Sequence, residues 1–111
     1  MKDVVDLQVY ETKLGKAPYI QWEGKLTRET RAILTARLAR IRMGNFGDCK
    51  AIRGKQDMYE LRVHFGPGYR IYFGKKGDKL VLLLLGGDKG SQKRDIDKAY
   101  EYWEDYLNNK R

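Results

Sequence analysis

Four side chains that could bind and cleave a phosphodiester lie close together in the middle of the chain. They are two arginines, a histidine and a tyrosine, namely Arg62, His64, Arg70 and Tyr72. A guanidinium matches the oxygens of a phosphate, an imidazole can accept or donate a proton near neutral pH, and a phenol can bond to a phosphate or stack on a base. Cleavage of RNA by attack of the 2′-hydroxyl on the neighbouring phosphorus requires such groups.

The segment that carries these side chains predicts a β-hairpin. Apolar and polar residues alternate from Met58 to Phe73, which is typical of two antiparallel strands with one buried face, and Gly66–Gly68 interrupt the pattern as the loop. The predicted cross-strand pairs are Phe65 with Tyr69, His64 with Arg70, and Arg62 with Tyr72. We therefore expect the four polar side chains to share one open face of a sheet.

A competing interpretation of the same pattern is a solvated sheet face with no function. Charged residues are ordinary on the outward side of a strand, and Arg62 and Arg70 could form ion pairs with Glu60 across the two strands. The residue pattern alone leaves both interpretations open.

The segments before the hairpin predict one strand and two helices. Val4–Tyr10 alternates as a first strand, and Pro18 suits the first turn of a short helix. Thr27 can cap a second, longer helix that ends at Gly44. Phe46–Lys55 is punctuated by glycines and is predicted to be mostly loop.

The segments after the hairpin predict a strand and a helix. Lys79–Leu85 has an apolar run with no polar phase, so we expect a central strand that is covered on both faces. Gly86–Gly90 is predicted to be a loop, and Ser91 to cap a final amphipathic helix. The resulting order β-α-α-β-β-β-α predicts an α+β fold with a small, mostly antiparallel sheet and helices packed on one face.

Basic residues outside the hairpin offer further binding sites. Lys89 and Lys93 stand next to the predicted N-terminus of the last helix, where free N–H groups and the helix dipole favour anions, so we expect them, with Tyr72, to bind substrate. The longer helix is rich in arginine and is either a solvated surface or a binding surface for a polyanion or an acidic protein. Its arginines are Arg28, Arg31, Arg37, Arg40 and Arg42.

Composition limits the possible functions. The 111 residues predict a single domain over positions 1–111, and the formal charge of +8 favours a polyanionic partner. With one cysteine and one histidine, we expect no disulfide, no structural zinc site and no cofactor. The N-terminal MKDVVDLQVY contains acids, so we expect no signal peptide. No apolar stretch approaches the roughly 20 residues that span a bilayer, so we expect no membrane span, and the single cysteine fits a cytoplasmic protein.

One long stretch of the sequence resembles a known family. The run YELRVHFGPGYRIYF, followed by GDKLVLLLLGGDKGSQKRDIDKA, resembles the RelE/ParE superfamily of toxins from type II toxin–antitoxin systems. The resemblance covers nearly the whole chain and is greatest to the branch called addiction module killer proteins, which is HigB-like. It implies a RelE/ParE-like fold.

The resemblance also implies roles for individual residues. Arg70, in the triplet GYR, matches the arginine with which the RNA-cleaving members contact the scissile phosphate. Arg62 matches a basic position on the preceding strand, and Lys89 matches a loop that carries further lysine or arginine. His64 has no counterpart in the family, so its catalytic role depends on the predicted strand pairing alone.

Two different activities are known in this superfamily, and the resemblance allows both. RelE-like members are metal-independent mRNA endoribonucleases that cut transcripts on the ribosome, and we expect this activity. The alternative is a ParE-like inhibitor of DNA gyrase with no enzymatic activity, and a third possibility is a degenerate member that survives as a binding module. Both toxin hypotheses imply a cognate antitoxin, typically a small helix-turn-helix DNA-binding protein.

Overall fold

The protein is built around one five-stranded sheet that three helices cover. The computed structural model describes residues 4–109. The elements in chain order are β1 (Asp6–Val9), α1 (Pro18–Glu23), α2 (Arg28–Arg42), β2 (Cys49–Ala51), β3 (Met58–Val63), β4 (Tyr69–Lys76), β5 (Leu80–Asp88), a 3₁₀ turn (Lys89–Ser91) and α3 (Gln92–Asn109). The α+β class is confirmed, and the residues at both ends of the predicted 1–111 domain lie outside the described part.

The two N-terminal helices begin where the sequence predicts. Pro18 occupies the first turn of α1, where its missing N–H would have no partner in any case. The Thr27 side chain accepts a hydrogen bond of 3.1 Å from the Thr30 backbone N–H and so caps α2. One side of α2 buries Leu34, Leu38 and Ile41.

The sheet has the strand order β1-β5-β4-β3-β2. Strands β2 to β5 pair antiparallel with their neighbours, and β1 pairs parallel with β5. The expectation of a mostly antiparallel sheet is therefore correct. The predicted element order is wrong at one point, because Cys49–Ala51 forms a short edge strand within the segment that was expected to be loop.

Helices cover both faces of the sheet, so the expectation that all helices pack on one face is wrong. On what we call the first face, α1 and α2 pack against the sheet through Tyr19, Leu34, Leu38, Leu61 and Ile71, among others, and α1 lies mainly against β5. On the second face, α3 packs through Ala99 and Trp103 against Met58, Tyr72 and Leu82. Two separate hydrophobic clusters result, one on each side of the sheet.

An irregularity in β5 changes which side chains reach each face. The pairing with β4 shifts between Tyr72 and Phe73, which leaves Leu84 as the extra residue of a β-bulge. Beyond the bulge, β5 continues to Asp88, so Gly86 and Gly87 are strand residues and not the predicted loop. A Cβ on Gly86 would overlap the ring of Trp22 from α1, which explains why glycine is needed there.

Candidate functional site

A cavity of about 450 Å³ opens at the end of the β3–β4 hairpin. Four of the residues predicted to bind or cleave a phosphodiester line it, together with the turn between the two strands. They are Arg62, His64, Arg70 and Lys89. The cavity therefore combines four basic side chains that come from β3, from the turn, from β4 and from the segment after β5.

The strand register places the two arginines directly opposite each other. Arg62 pairs with Arg70, Val63 with Tyr69, and Glu60 with Tyr72. The register thus differs by two residues from the predicted one, because the turn spans residues 64–68 and not 66–68. A shift of two leaves every side chain on its expected face but replaces the predicted His64–Arg70 pair with a pair of guanidiniums.

Two like charges on paired residues repel, and a buried carboxylate compensates for this. Glu60 is 4% exposed, and its Oε2 lies 2.8 Å from Arg62 Nε and 3.7 Å from Arg70 Nε. Its other oxygen, Oε1, accepts a hydrogen bond of 3.2 Å from the amide of Gln92 at the start of α3. Glu60 therefore connects both arginines to the helix that covers the second face.

Two donors beside Glu60 are buried without a hydrogen-bond partner among residues 4–109. They are Arg70 Nε, in a residue that is 9% exposed, and the hydroxyl of Tyr72, whose ring is fully enclosed. A buried donor without an acceptor is unfavourable, by roughly 1–3 kcal/mol. Both donors therefore favour an additional acceptor in this region.

The expectation that Tyr72 stands on an open face is wrong, because the residue is fully buried. The Tyr72 ring lies in the second-face cluster with Met58 and Trp103. Burial raises the pKa of Tyr72 above its ordinary value, and the negative charges of Glu60 and Asp95 raise it further, against the opposing effect of Arg70 and Arg62. The phenol therefore stays protonated and is enclosed in the second-face cluster.

Of the three remaining predicted residues, two border the cavity and one lies outside it. His64 is exposed and lies just beyond the end of β3, so it borders the cavity from the turn. Lys89 is exposed in the 3₁₀ turn, where Asp88 accepts a hydrogen bond of 2.8 Å from the Gly90 N–H. Lys93 is exposed in the first turn of α3 and does not line the cavity.

A second carboxylate, that of Asp95, lies next to β5, the strand that pairs with Arg70. Gly87 of β5 pairs with Arg70, and a Cβ on Gly87 would overlap the Asp95 carboxylate. The Ser91 hydroxyl donates a hydrogen bond to Asp95, and Ser91 ends the 3₁₀ turn directly before α3. The glycine leaves room for Asp95 close to the site.

Three residues around the site were not identified from the sequence. The sequence suggests Glu60 only as a surface ion-pair partner, although its position two residues before Arg62 on a strand places both on one face. Lys50 pairs with Glu60 from β2 and is exposed, but the sequence predicts a loop for this segment and so does not indicate the pairing. Gln92 reaches the site through tertiary packing, for which no sequence signal exists.

The other candidate features have simpler explanations. The Cys49 thiol is half-buried, and burial raises its pKa to about 11, so it remains a protonated thiol at neutral pH. Within residues 4–109, no group of three or more histidine, cysteine, aspartate or glutamate side chains could hold a metal ion. No helix in the same range is long and apolar enough to cross a bilayer.

Comparison with known proteins places the chain in a family and a fold. No protein-family model matches it. An uncharacterized protein from Haemophilus influenzae is 42% identical over 79 residues, which are 70% of this chain and 78% of that protein. A mutant of the E. coli toxin RelE, solved in its free state, superposes with a TM-score of 0.60 at 18% identity, over 91% of this chain and 97% of RelE. The chain therefore belongs to the same family as the H. influenzae protein and has the RelE/ParE-like fold.

Proposed function

We propose that the protein is the toxin of a type II toxin–antitoxin system and that it cleaves mRNA on the ribosome without a metal ion. The observation that carries the proposal is the directly opposed pair Arg62 and Arg70 at the cavity, with Lys89 on its rim. The fold of a protein described as a toxin, E. coli RelE, supports it. We further propose that the chain belongs to the HigB-like branch.

The proposed reaction is an internal transesterification. The 2′-oxygen of one nucleotide bonds to the adjacent phosphorus, the bond from phosphorus to the 5′-oxygen breaks, and the products are a 2′,3′-cyclic phosphate and a 5′-hydroxyl. Negative charge accumulates on the non-bridging oxygens in the transition state. The guanidiniums of Arg62 and Arg70 are suited to stabilise that charge, because each presents a planar fork of N–H donors.

Two protons must also move, one from the 2′-hydroxyl and one to the 5′-oxygen. His64 borders the cavity and is exposed, so a substrate can reach its imidazole, and we retain it as the candidate for one of these transfers. Lys89, from the opposite rim, is positioned to bind a neighbouring phosphate, and exposed Lys93 would extend the basic surface along α3.

A translation assay tests the proposal. Purified protein is added to ribosomes translating a defined mRNA, and the 5′ ends of the RNA are mapped. We expect cuts within codons for the wild type, and a loss of about 100-fold or more for Arg70→Ala, the order of magnitude for removing one group that stabilises transition-state charge. Lys79→Ala is the matched control, because Lys79 is an exposed cation in the turn before β5, at the opposite end of the sheet.

The Arg70→Lys variant sharpens this test, because it retains the positive charge but not the planar fork. We expect it to bind RNA nearly as the wild type does and to cut poorly. Unchanged cutting by Arg70→Ala, with folding confirmed by circular dichroism, would show that the site is wrongly assigned.

The exposed arginines of α2 favour a second candidate function, the inhibition of DNA gyrase. Arg28, Arg40 and Arg42 are exposed on the helix that covers the first face, away from the second-face cluster beneath Arg70. A supercoiling assay separates the two functions. Inhibition of gyrase by the wild type, with intact mRNA in the translation assay, would favour the second candidate.

Either activity requires a partner that restrains the toxin. We propose a cytoplasmic complex with an antitoxin of the helix-turn-helix class that covers the basic residues of the cavity. Electrostatic attraction would contribute to this contact, so its affinity is expected to fall as ionic strength rises. A contact whose affinity is independent of salt would contradict this part of the proposal.

A further inference from the structure

We propose that Glu60 is an internal counter-ion for the two arginines, which a substrate phosphate displaces from Arg62 and which then turns toward Arg70 and Tyr72. The inference deepens the proposed function and rests on it for the identity of the substrate. It assigns Glu60 as a positioning residue, which acts through the guanidiniums and does not itself contact RNA.

The position of Glu60 in the sheet explains how a carboxylate comes to be buried there. It pairs with Tyr72 across the strands, and its neighbour two positions on, Arg62, points to the same side. Gln92 donates a hydrogen bond to one carboxylate oxygen from α3, which leaves Oε2 for the arginines. A buried anion without such partners would be very unfavourable, so the surrounding charges and donors specify its presence.

The present arrangement is one of two that the surroundings allow. Oε2 makes a close contact of 2.8 Å with Arg62 Nε, whereas its distance to Arg70 Nε is 3.7 Å, too long for a hydrogen bond. Arg70 Nε and the Tyr72 hydroxyl are the two buried donors without a partner in the described part of the chain. A rotation of the carboxylate toward them would offer both donors an acceptor and release Arg62.

Substrate binding would drive this rotation. Arg62 is the more accessible of the two arginines, with 36% of its side chain exposed against 11% for Arg70, so it meets an incoming phosphate first. Once the phosphate replaces the carboxylate on Arg62, Glu60 gains Arg70 Nε and Tyr72 as partners. That contact would hold the remaining N–H groups of Arg70 in place for the scissile phosphate.

The prediction is that Glu60→Gln binds RNA more tightly and cuts it more slowly. Binding is measured with an oligonucleotide in which every 2′-hydroxyl is replaced by hydrogen, so that no cleavage can occur. Removing one negative charge beside two guanidiniums should raise the affinity about tenfold, from Coulomb's law at short range in a partly buried site. Cleavage of the corresponding RNA should fall at least tenfold, because Arg70 loses its support.

Asp97→Asn is the matched control. It removes the same charge from α3, where exposed Asp97 lies 3.9 Å from the Lys55 ammonium. We expect its affinity for the oligonucleotide to change less than about twofold, as for an isolated surface charge. A purely structural role for Glu60 predicts a different result, in which binding and cleavage fall together with the midpoint of unfolding. That result, or a Glu60→Gln affinity no higher than that of Asp97→Asn, would overturn the proposal.

A second measurement uses the wild type alone and so does not depend on the folding of a variant. The side-chain Nε–Hε signals of arginine are followed by NMR while inorganic phosphate is added. We expect the Arg62 and Arg70 signals to shift together, Arg62 because it gains phosphate and Arg70 because it gains Glu60. A shift of Arg62 without one of Arg70 would contradict the rotation. Because phosphate is the probe, this result does not depend on whether the protein cuts RNA. A coupled shift in a protein that does not cut RNA in the translation assay would disprove only the proposed function.

Discussion

The two faces of the sheet use the same strands in different ways. On the first face, α1 and α2 cover the sheet with aliphatic and aromatic side chains. On the second face, α3 covers one end with Trp103 and Ala99, while the other end holds Glu60, Arg62 and Arg70. A single helix does not cover the whole of the second face, and the uncovered part has room for a charged site whose base is still buried.

The largest change in the free energy of unfolding is expected from substitutions where a helix packs against the sheet. Gly74 lies under the ring of Trp103 on the second face, and Gly86 lies under the ring of Trp22 on the first. Trp103 is fully buried and donates a hydrogen bond of 3.1 Å to the Gln56 carbonyl, whereas Trp22 is half-buried on a short helix. We expect Gly74→Ala to reduce the free energy of unfolding by about 3 kcal/mol or more, and Gly86→Ala by about 1 kcal/mol, since Trp22 can move.

Urea unfolding followed by circular dichroism measures both variants. Combining Gly74→Ala with Trp103→Phe should cost less than the sum of the two single substitutions, because the smaller ring makes room for the new methyl group. Equal losses for the two glycine variants would show that the two faces are packed with the same rigidity.

A smaller effect, on how stability depends on pH, is expected from one buried tyrosine on each face. Burial raises the pKa of Tyr19 on the first face, with a further contribution from Glu23, and burial followed by Glu60 and Asp95 raises the pKa of Tyr72 on the second. Both phenols hold their protons in the folded state at a pH where the unfolded chain releases them. The free energy of unfolding should therefore fall as pH rises above about 10, by at most about 1.4 kcal/mol per pH unit for each tyrosine.

Phenylalanine substitutions check this dependence. Tyr19→Phe and Tyr72→Phe should each make stability less dependent on pH between about 9 and 11, and the double variant should show the weakest dependence. At pH 8 the Tyr72→Phe variant should be no less stable than the wild type, because the lost hydroxyl has no partner among the described residues. The same slope in all four proteins would contradict the burial of these phenols.

The smallest effect is expected at the open end of the second face. Lys50 stands opposite Glu60 on β2 and so lies diagonally across from Arg62. If RNA crosses this part of the sheet, Lys50→Ala should weaken its binding about two- to fivefold and lower the slope of log affinity against log salt by about 0.7, as for one phosphate contact on a single strand. Lys79→Ala should leave both quantities unchanged. Identical behaviour of the two variants would exclude Lys50 from the path of the RNA.

Local signals were sufficient to predict most elements of the fold. Pro18 and Thr27 mark the two helix starts, and alternation identifies both strands of the hairpin, because these features depend only on residues close in sequence. The short strand Cys49–Ala51 was missed because three residues are too few to show a period. The sequence also does not predict the placement of α3 on the second face, because that placement depends on which face of the sheet packs against the apolar side of the helix.

The candidate site was predictable in composition but not in arrangement. Alternation placed Arg62 and Arg70 on one face, and this survives a register shift of two residues. The same alternation could not indicate that Tyr72 is covered, because coverage comes from Trp103, more than thirty residues further along the chain. Alternation also does not indicate that Glu60 contacts both arginines, because this contact depends on the pairing of Arg62 with Arg70 in the actual register.

The parallel pairing of β1 with β5 has a consequence for the order of events during synthesis. Asp6–Val9 has its partner in Leu80–Leu83, about 70 residues later, whereas β2 to β5 pair with their sequence neighbours. At a translation rate of roughly 5–20 residues per second, the first strand waits several seconds for its partner to be made. The hairpin that carries both arginines can form during that interval, but the sheet is complete only when β5 has left the ribosome. Both arginines are therefore available to a nascent chain before its sheet can be completed.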